Sequence, residues 1–244
     1  MNAVGIIPAR YHSTRLPGKP LLKETGKYLI QHVWERARQA ASLTRVIIAT
    51  DSEDIARAAA QFGAEAQMTS ATHQTGTDRI AEVAAGLDAN IVVNIQGDEA
   101  EIEPGAIDAA VAALRDAPDA VMSTLAHRTT DARRAAESSV VKVVVGVDGR
   151  ALYFSRSPIP CFRDAEAEPS FLLHIGLYAY RKEFLLSYTQ MDQTPLENCE
   201  KLEQLRAIEN GYIVRVVETA YDALGIDTPQ DYQAFLQRTK GATQ

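Results

Sequence analysis

The chain has 244 residues, 46% of them hydrophobic and 23% charged, the balance of a globular protein able to bury a sizeable core. A formal net charge of -7 argues against nucleic acid as the main partner, because phosphate backbones select basic surfaces, yet it allows one small anion in a locally basic cleft. Cys161 and Cys199 share no metal-ligand or redox spacing, and the opening run is too short and too weakly basic for a leader or a membrane span, so a cytoplasmic protein without membrane insertion is expected.

Residues 3–7 are apolar and are stopped by Pro8 and charge, which predicts a buried first strand. Over residues 28–41, Ile30, Val33, Trp34, Ala37 and Ala41 recur at helical spacing. Residues 45–50 (RVIIAT) read as a second buried strand that stops at Asp51, and residues 54–62 as an Ala-rich helix with Gly63 as its stop. A helix over residues 78–87 and a third buried strand over residues 90–95 (NIVVNI) follow. Such alternation implies βαβ units, hence an α/β protein with a mostly parallel sheet and helices on both faces.

Residues 107–114 read as one more helix, and then the pattern changes. Residues 140–147 and 150–155 predict a β-hairpin about Asp148-Gly149, and residues 174–180 a further strand. Residues 196–208 read as one amphipathic helix through Leu196, Cys199, Leu202, Leu205 and Ile208. Residues 214–217 form a late strand, and Thr228 caps a last helix begun by Pro229. One domain over residues 1–244 is expected, with about residues 138–190 forming a smaller β-rich lobe or arm.

Ligands of open α/β sheets bind beyond the carboxyl ends of the strands, which selects the loops after Ile7, Thr50 and Ile95. The first loop carries Arg10, Arg15 and Lys19 among small hydroxyl residues and a single Gly18. It suits several phosphate oxygens, although it has neither the Walker nor the dinucleotide glycine spacing, and by composition alone it fits a solvated basic loop equally well. Asp98, just past the third strand, suits Mg²⁺, which takes one or two carboxylates plus phosphates; read alone, it and Asp227 fit turn residues better. The Thr75-Gly-Thr-Asp-Arg79 stretch fits either a base or ribose pocket or a capped helix start. Arg156, His174 and Glu203 look isolated, and a single histidine in an apolar strand is more often packed than catalytic.

Residues 6–20 (IIPARYHSTRLPGKP) resemble the opening signature of the bacterial cytidylyltransferases of 3-deoxy-manno-octulosonate (Kdo). The segments IIATDSEDIA, HQTGTDRIAE, VVNIQGDE, VVKVV, LYFSRSPIP, HIGLYAYR, PLENCEKLEQLR and GIDTPQD follow in family order, so the resemblance covers nearly the whole chain. It implies a Rossmann-like nucleotidyltransferase fold, a homodimer, and transfer of CMP from CTP to the anomeric hydroxyl of Kdo for lipopolysaccharide synthesis. Arg10, Arg15 and Lys19 would then hold the triphosphate, with the backbone near Ala9 and Ser13 helping to place the nucleotide. Thr75, Gly76 and Arg79 would surround cytosine and ribose, and Asp98 and Asp227 would hold Mg²⁺. Lys19, Arg15, Asp98 and Asp227 form the implied catalytic set. Gln96, Arg156, His174, Tyr178 and Glu203 would contact the sugar, with Arg156 on its carboxylate.

The chain departs from the family pattern at Ala100, where proline is usual, and over residues 137–140, where Glu-Ser-Ser-Val replaces an Asn-Pro-Asn-Ala-like stretch. A variant acidic sugar such as 8-amino-Kdo is therefore the alternative acceptor. A sialic acid enzyme opens with a related motif, but the Arg-Leu-Pro-Gly-Lys-Pro run is of the Kdo type. A glycosyltransferase would carry Asp-x-Asp, and Ala100 stands two beyond Asp98. A non-catalytic nucleotide sensor would have lost part of the set Arg10, Arg15, Lys19, Asp98 and Asp227.

Overall fold

The computed structural model describes residues 1–11, 13, 15–164 and 168–241. The chain divides into two compact units: Met1–Asp108 with Ala223–Gln244, and Ala109–Asp222. The first unit runs β1 (Ala3–Ala9), a 3₁₀ turn (Lys19–Leu21), α1 (Leu29–Ala37), β2 (Leu43–Thr50), α2 (Glu53–Gln61), β3 (Glu65–Met68), α3 (Gly76–Ala85) and β4 (Ile91–Asn94). Its strands pair in the order β3-β2-β1-β4, all parallel. Ile6, Ile7, Ile47, Ile48, Ile91 and Val92 are fully or almost fully buried, which is why these strands read as continuous apolar runs rather than as an alternation. Ser52 caps α2, and Thr75 with Asp78 forms a reciprocal capping box on α3, so the helix-start reading of that stretch holds.

The boundary between the units falls within α4 (Pro104–Asp116). The second unit holds β5 (Ala120–Thr129), α5 (Ala132–Ala136), β6 (Lys142–Val145), β7 (Ala151–Ser155), β8 (Phe171–Arg181), α6 (Lys182–Tyr188), α7 (Pro195–Glu200), α8 (Gln204–Glu209) and β9 (Ile213–Thr219). Here β5 pairs antiparallel with β8 and parallel with β9, while β6 pairs antiparallel with β7 and β8. The chain then returns to the first unit and ends in α9 (Pro229–Gly241), where Thr228 and Asp231 cap each other. Among the described residues no helix is long and apolar enough to cross a membrane.

Several elements differ from expectation for visible reasons. The helix expected over residues 28–41 ends at Ala37, because the Asp108 carboxylate accepts the amides of Ala41 (3.2 Å) and Ser42 (2.8 Å) and holds them out of a further helical turn. The helix expected over residues 196–208 is two helices, broken at Lys201 with φ 53°. Its proposed apolar face is incomplete, since Leu196 and Cys199 are exposed while Leu202 and Leu205 are buried. The hairpin strands are shorter than expected and the loop longer: Gly146 N–H donates to Arg150 O, and Val216 N–H holds Gly149 O from the side. The strands β3 and β5 and the helices α5 and α6 were not anticipated. In β5 the obstacle is chemical, because Ser123 and Thr124 are fully buried and interrupt the apolar signal. Ser123 donates to Ala110 O (2.6 Å), and the Thr124 hydroxyl lies 2.8 Å from Leu177 O.

Candidate active site

Beyond the carboxyl ends of β1 and β4 lies a cleft of about 470 Å³. Its lining includes Ala9, Arg10, Ser13, Arg15, Lys19, Gly76, Arg79, Gln96, Asp98 and Asp227, which are residues the sequence nominated from four separate stretches. Thr75 stands behind them as the cap of α3. Because Gly76 is the first residue of that helix, its positive dipole end faces the cleft.

The first loop is shaped locally. Buried Leu16 anchors it, Leu16 N–H donates to Ser13 Oγ (3.3 Å), and Gly18 adopts φ 64°, a left-handed conformation that favours glycine, just before the 3₁₀ turn. This delivers the mostly buried Lys19 side chain into the cleft, where its ammonium lies 3.0 Å from Asp98 Oδ2 and 3.0 Å from Asp227 Oδ1. Arg15 lies 3.1 Å from the other Asp227 oxygen. Two backbone features bring the loops together. At Gly97 any Cβ would stand 2.9 Å from Pro8 O, so only glycine allows this approach, and Ile226 N–H donates to Asp98 O (3.1 Å). Asp227 is then aimed by the cap of α9, since Asp231 accepts its amide (3.1 Å).

Asp98 and Asp227 thus converge on one positive charge, and among the described residues no group of three or more His, Cys, Asp or Glu could hold a metal. A pair of carboxylates with room for phosphate oxygens is the donor set that suits Mg²⁺, so the residues present fit that ion. Arg79 is fixed by its own partners. It is buried, donates to Asp51 (2.8 Å) and to Thr69, and forms the wall of the cleft rather than a mobile cation. Asp51, directly after the second strand, was not nominated by the sequence, and the structure makes it the carboxylate that holds Arg79.

Gln96 belongs to this cleft, whereas Arg156, His174, Tyr178 and Glu203 all belong to the second unit. His174 and Tyr178 are neighbours on β8, with ring centroids 5.4 Å apart, and Phe154 meets the imidazole edge-on. His174 Nε2 lies 2.9 Å from the Thr124 hydroxyl, and burial pushes its pKa down to about 3, so the ring is neutral near pH 7. Burial, then Tyr188 and Glu203, push the Tyr178 phenol well above its ordinary value. Glu203 stands at the start of α8, and its carbonyl accepts from the Tyr188 hydroxyl. Arg156 donates to three backbone carbonyls, those of Ser138, Glu200 and Lys201.

A parallel α/β unit with cations, a helix N-terminus and two converging carboxylates beyond its strand ends has the layout of a nucleotide-binding fold. The family model described as cytidylyltransferase matches residues 4–219. The 3-deoxy-manno-octulosonate cytidylyltransferase of Solibacter usitatus is 54% identical over 230 residues, covering 94% of this chain and 91% of that protein. Its counterpart in Geobacter metallireducens is 50% identical over 248 residues, covering 98% of each. A solved structure of CMP:2-keto-3-deoxy-manno-octonic acid synthetase complexed with CTP matches with a TM-score of 0.95 and 44% identity, over 99% of this chain and 100% of that one. The chain belongs to the cytidylyltransferase family, and within it to the 3-deoxy-manno-octulosonate cytidylyltransferases.

Proposed function

We propose that the protein transfers CMP from CTP to the anomeric hydroxyl of Kdo, giving CMP-Kdo and pyrophosphate for lipopolysaccharide synthesis. The observation that carries the reading is Lys19 held between Asp98 and Asp227 in a cleft walled by Arg10, Arg15 and the start of α3. The sugar hydroxyl oxygen attacks the α-phosphorus as its proton passes to solvent, the bond from that phosphorus to the bridging oxygen breaks, and pyrophosphate leaves with its electrons. Arg10, Arg15 and Lys19 offset the charge that gathers on the phosphates, while the Gly76 end of α3 and the backbone near Ala9 and Ser13 orient the nucleotide. Asp98 and Asp227 would hold Mg²⁺, which when bound supplies further charge neutralisation at the phosphates. No side chain becomes covalently attached to CMP. Thr75 and Arg79 shape the base and ribose side from behind, and Gln96, Arg156, His174, Tyr178 and Glu203 are assigned to the sugar. The reading includes a cytoplasmic location and a homodimer.

The departures at Ala100 and residues 137–140 favour one second reading, the same reaction on a variant acidic sugar. The test is pyrophosphate release from CTP and Mg²⁺ with Kdo, 8-amino-Kdo and a sialic acid, each separately. Release with Kdo alone supports the proposal, and release with 8-amino-Kdo alone moves the assignment to that sugar. Silence with all three while CTP binds overturns these acceptors and moves the assignment to an unlisted sugar acid or to a sensor.

A further inference from the structure

The second unit buries a lysine completely: Lys142, the first residue of β6, is 0% exposed. Its three N–H groups go to three backbone carbonyls, those of Glu137 (3.1 Å), Val140 (2.6 Å) and Arg156 (2.5 Å). Burying a charge without a carboxylate on it is costly, and an apolar chain of the same length would fill the space at lower cost. What the ammonium adds is geometry, because it draws the carbonyls of two separate segments to one point.

Arg156 continues the same construction with its side chain. Nη1 donates to Ser138 O (2.9 Å), Nε to Glu200 O (2.7 Å) and Nη2 to Lys201 O (3.4 Å). The Glu200 carboxylate receives the Arg156 amide (3.0 Å) and the Ser155 hydroxyl (2.6 Å). Residues 137–140, 155–156 and 200–201 are therefore held by two cations and one carboxylate. Among the described residues these bonds take three of the five guanidinium N–H groups and leave two.

We propose that Lys142 is a positioning residue for the sugar acid: by fixing the Arg156 carbonyl and the 137–140 segment, it aims the two remaining guanidinium N–H groups of Arg156. The inference rests on the proposed cytidylyl transfer, in which Arg156 receives the sugar carboxylate. It makes Lys142 specific to the sugar and neutral toward the nucleotide.

The test is Lys142→Met, which keeps the length and removes the ammonium. The expected result is a KM for Kdo raised roughly tenfold or more, with the KM for CTP within about twofold and kcat within about threefold of the parent. Both KM values moving together, or neither moving, would overturn the proposal. If the variant fails to fold, the ¹⁵Nζ resonance of the caged ammonium in the unaltered protein serves instead. It shifts when Kdo is added to the CTP-loaded protein and not with CTP alone; a resonance indifferent to Kdo counts against the cage. Turnover of the unaltered protein with Kdo, measured alongside, tests the underlying reading separately.

Discussion

Lys19 is the residue on which the cleft converges, since its ammonium meets carboxylates from two distant loops. Lys19→Met should lower kcat/KM for CTP by roughly 10²- to 10³-fold, the size of losing one preorganised charge contact, with an unchanged far-ultraviolet spectrum. Pyrophosphate release measures the first and circular dichroism the second. His174 makes a different prediction. Its folded pKa of about 3 lies below the ordinary 6.5, so the unfolded chain takes up a proton that the folded one refuses. Stability contributed by the neutral ring is complete above pH 6.5 and is lost as the pH falls from there toward 3, at about 1 kcal/mol per pH unit. Urea midpoints between pH 6.5 and 4.5 should fall in the parent and fall less in His174→Gln. His32, also held low by burial, keeps part of the slope. At this scale the strand ends singled out the loop with Arg10, Arg15 and Lys19 and the loop with Asp98, while the roles expected of these residues came only from the family resemblance. The tie of Arg79 to Asp51 was not legible, because it depends on which helix lies over β2.

At the scale of elements, the break between α7 and α8 is the most informative feature. Glu197 and Arg206 are nine positions apart, and at 3.6 residues per turn an unbroken helix would send them to opposite sides. The left-handed Lys201 turns the chain so that they meet, both buried, with Nε 2.8 Å and Nη2 2.5 Å from the two carboxylate oxygens. The Arg206 guanidinium also lies over the Tyr188 ring at 4.8 Å. Arg206→Ala leaves Glu197 buried and unpaired and should cost about 3–5 kcal/mol in urea unfolding, whereas Glu197→Leu with Arg206→Met should cost far less. A single-variant loss below about 1 kcal/mol would show that the pair is solvated. The Lys142 cage works at this scale too. It engages only backbone carbonyls, so side chains at 137–140 can differ from the family pattern without disturbing it. Strands β1, β2 and β4 were readable because burial on both faces leaves an uninterrupted apolar run. The same burial in β5 includes Ser123 and Thr124, whose hydroxyls bond backbone carbonyls that no local pattern identifies.

At the scale of the molecule, a formal charge of -7 coexists with a cleft lined by Arg10, Arg15 and Lys19 beside Asp98 and Asp227, so cations gather locally in a chain that is acidic overall. The proposed homodimer is tested by light scattering at micromolar concentration, where twice the 26.6 kDa chain mass is expected and a monomer mass would remove the proposal. By itself the sequence determined the parallel α/β layout, the strand ends that carry the site and, through its ordered motifs, the family; local periodicity and motif order suffice for these. Only the tertiary structure decided that Lys19 joins Asp98 to Asp227, that Arg79 is a wall and not a free cation, and that Lys142 and Arg156 engage the same segments. Those contacts depend on loop closure between residues far apart in the chain, where a single glycine such as Gly97 or one left-handed residue such as Lys201 sets the geometry and no repeating pattern announces it.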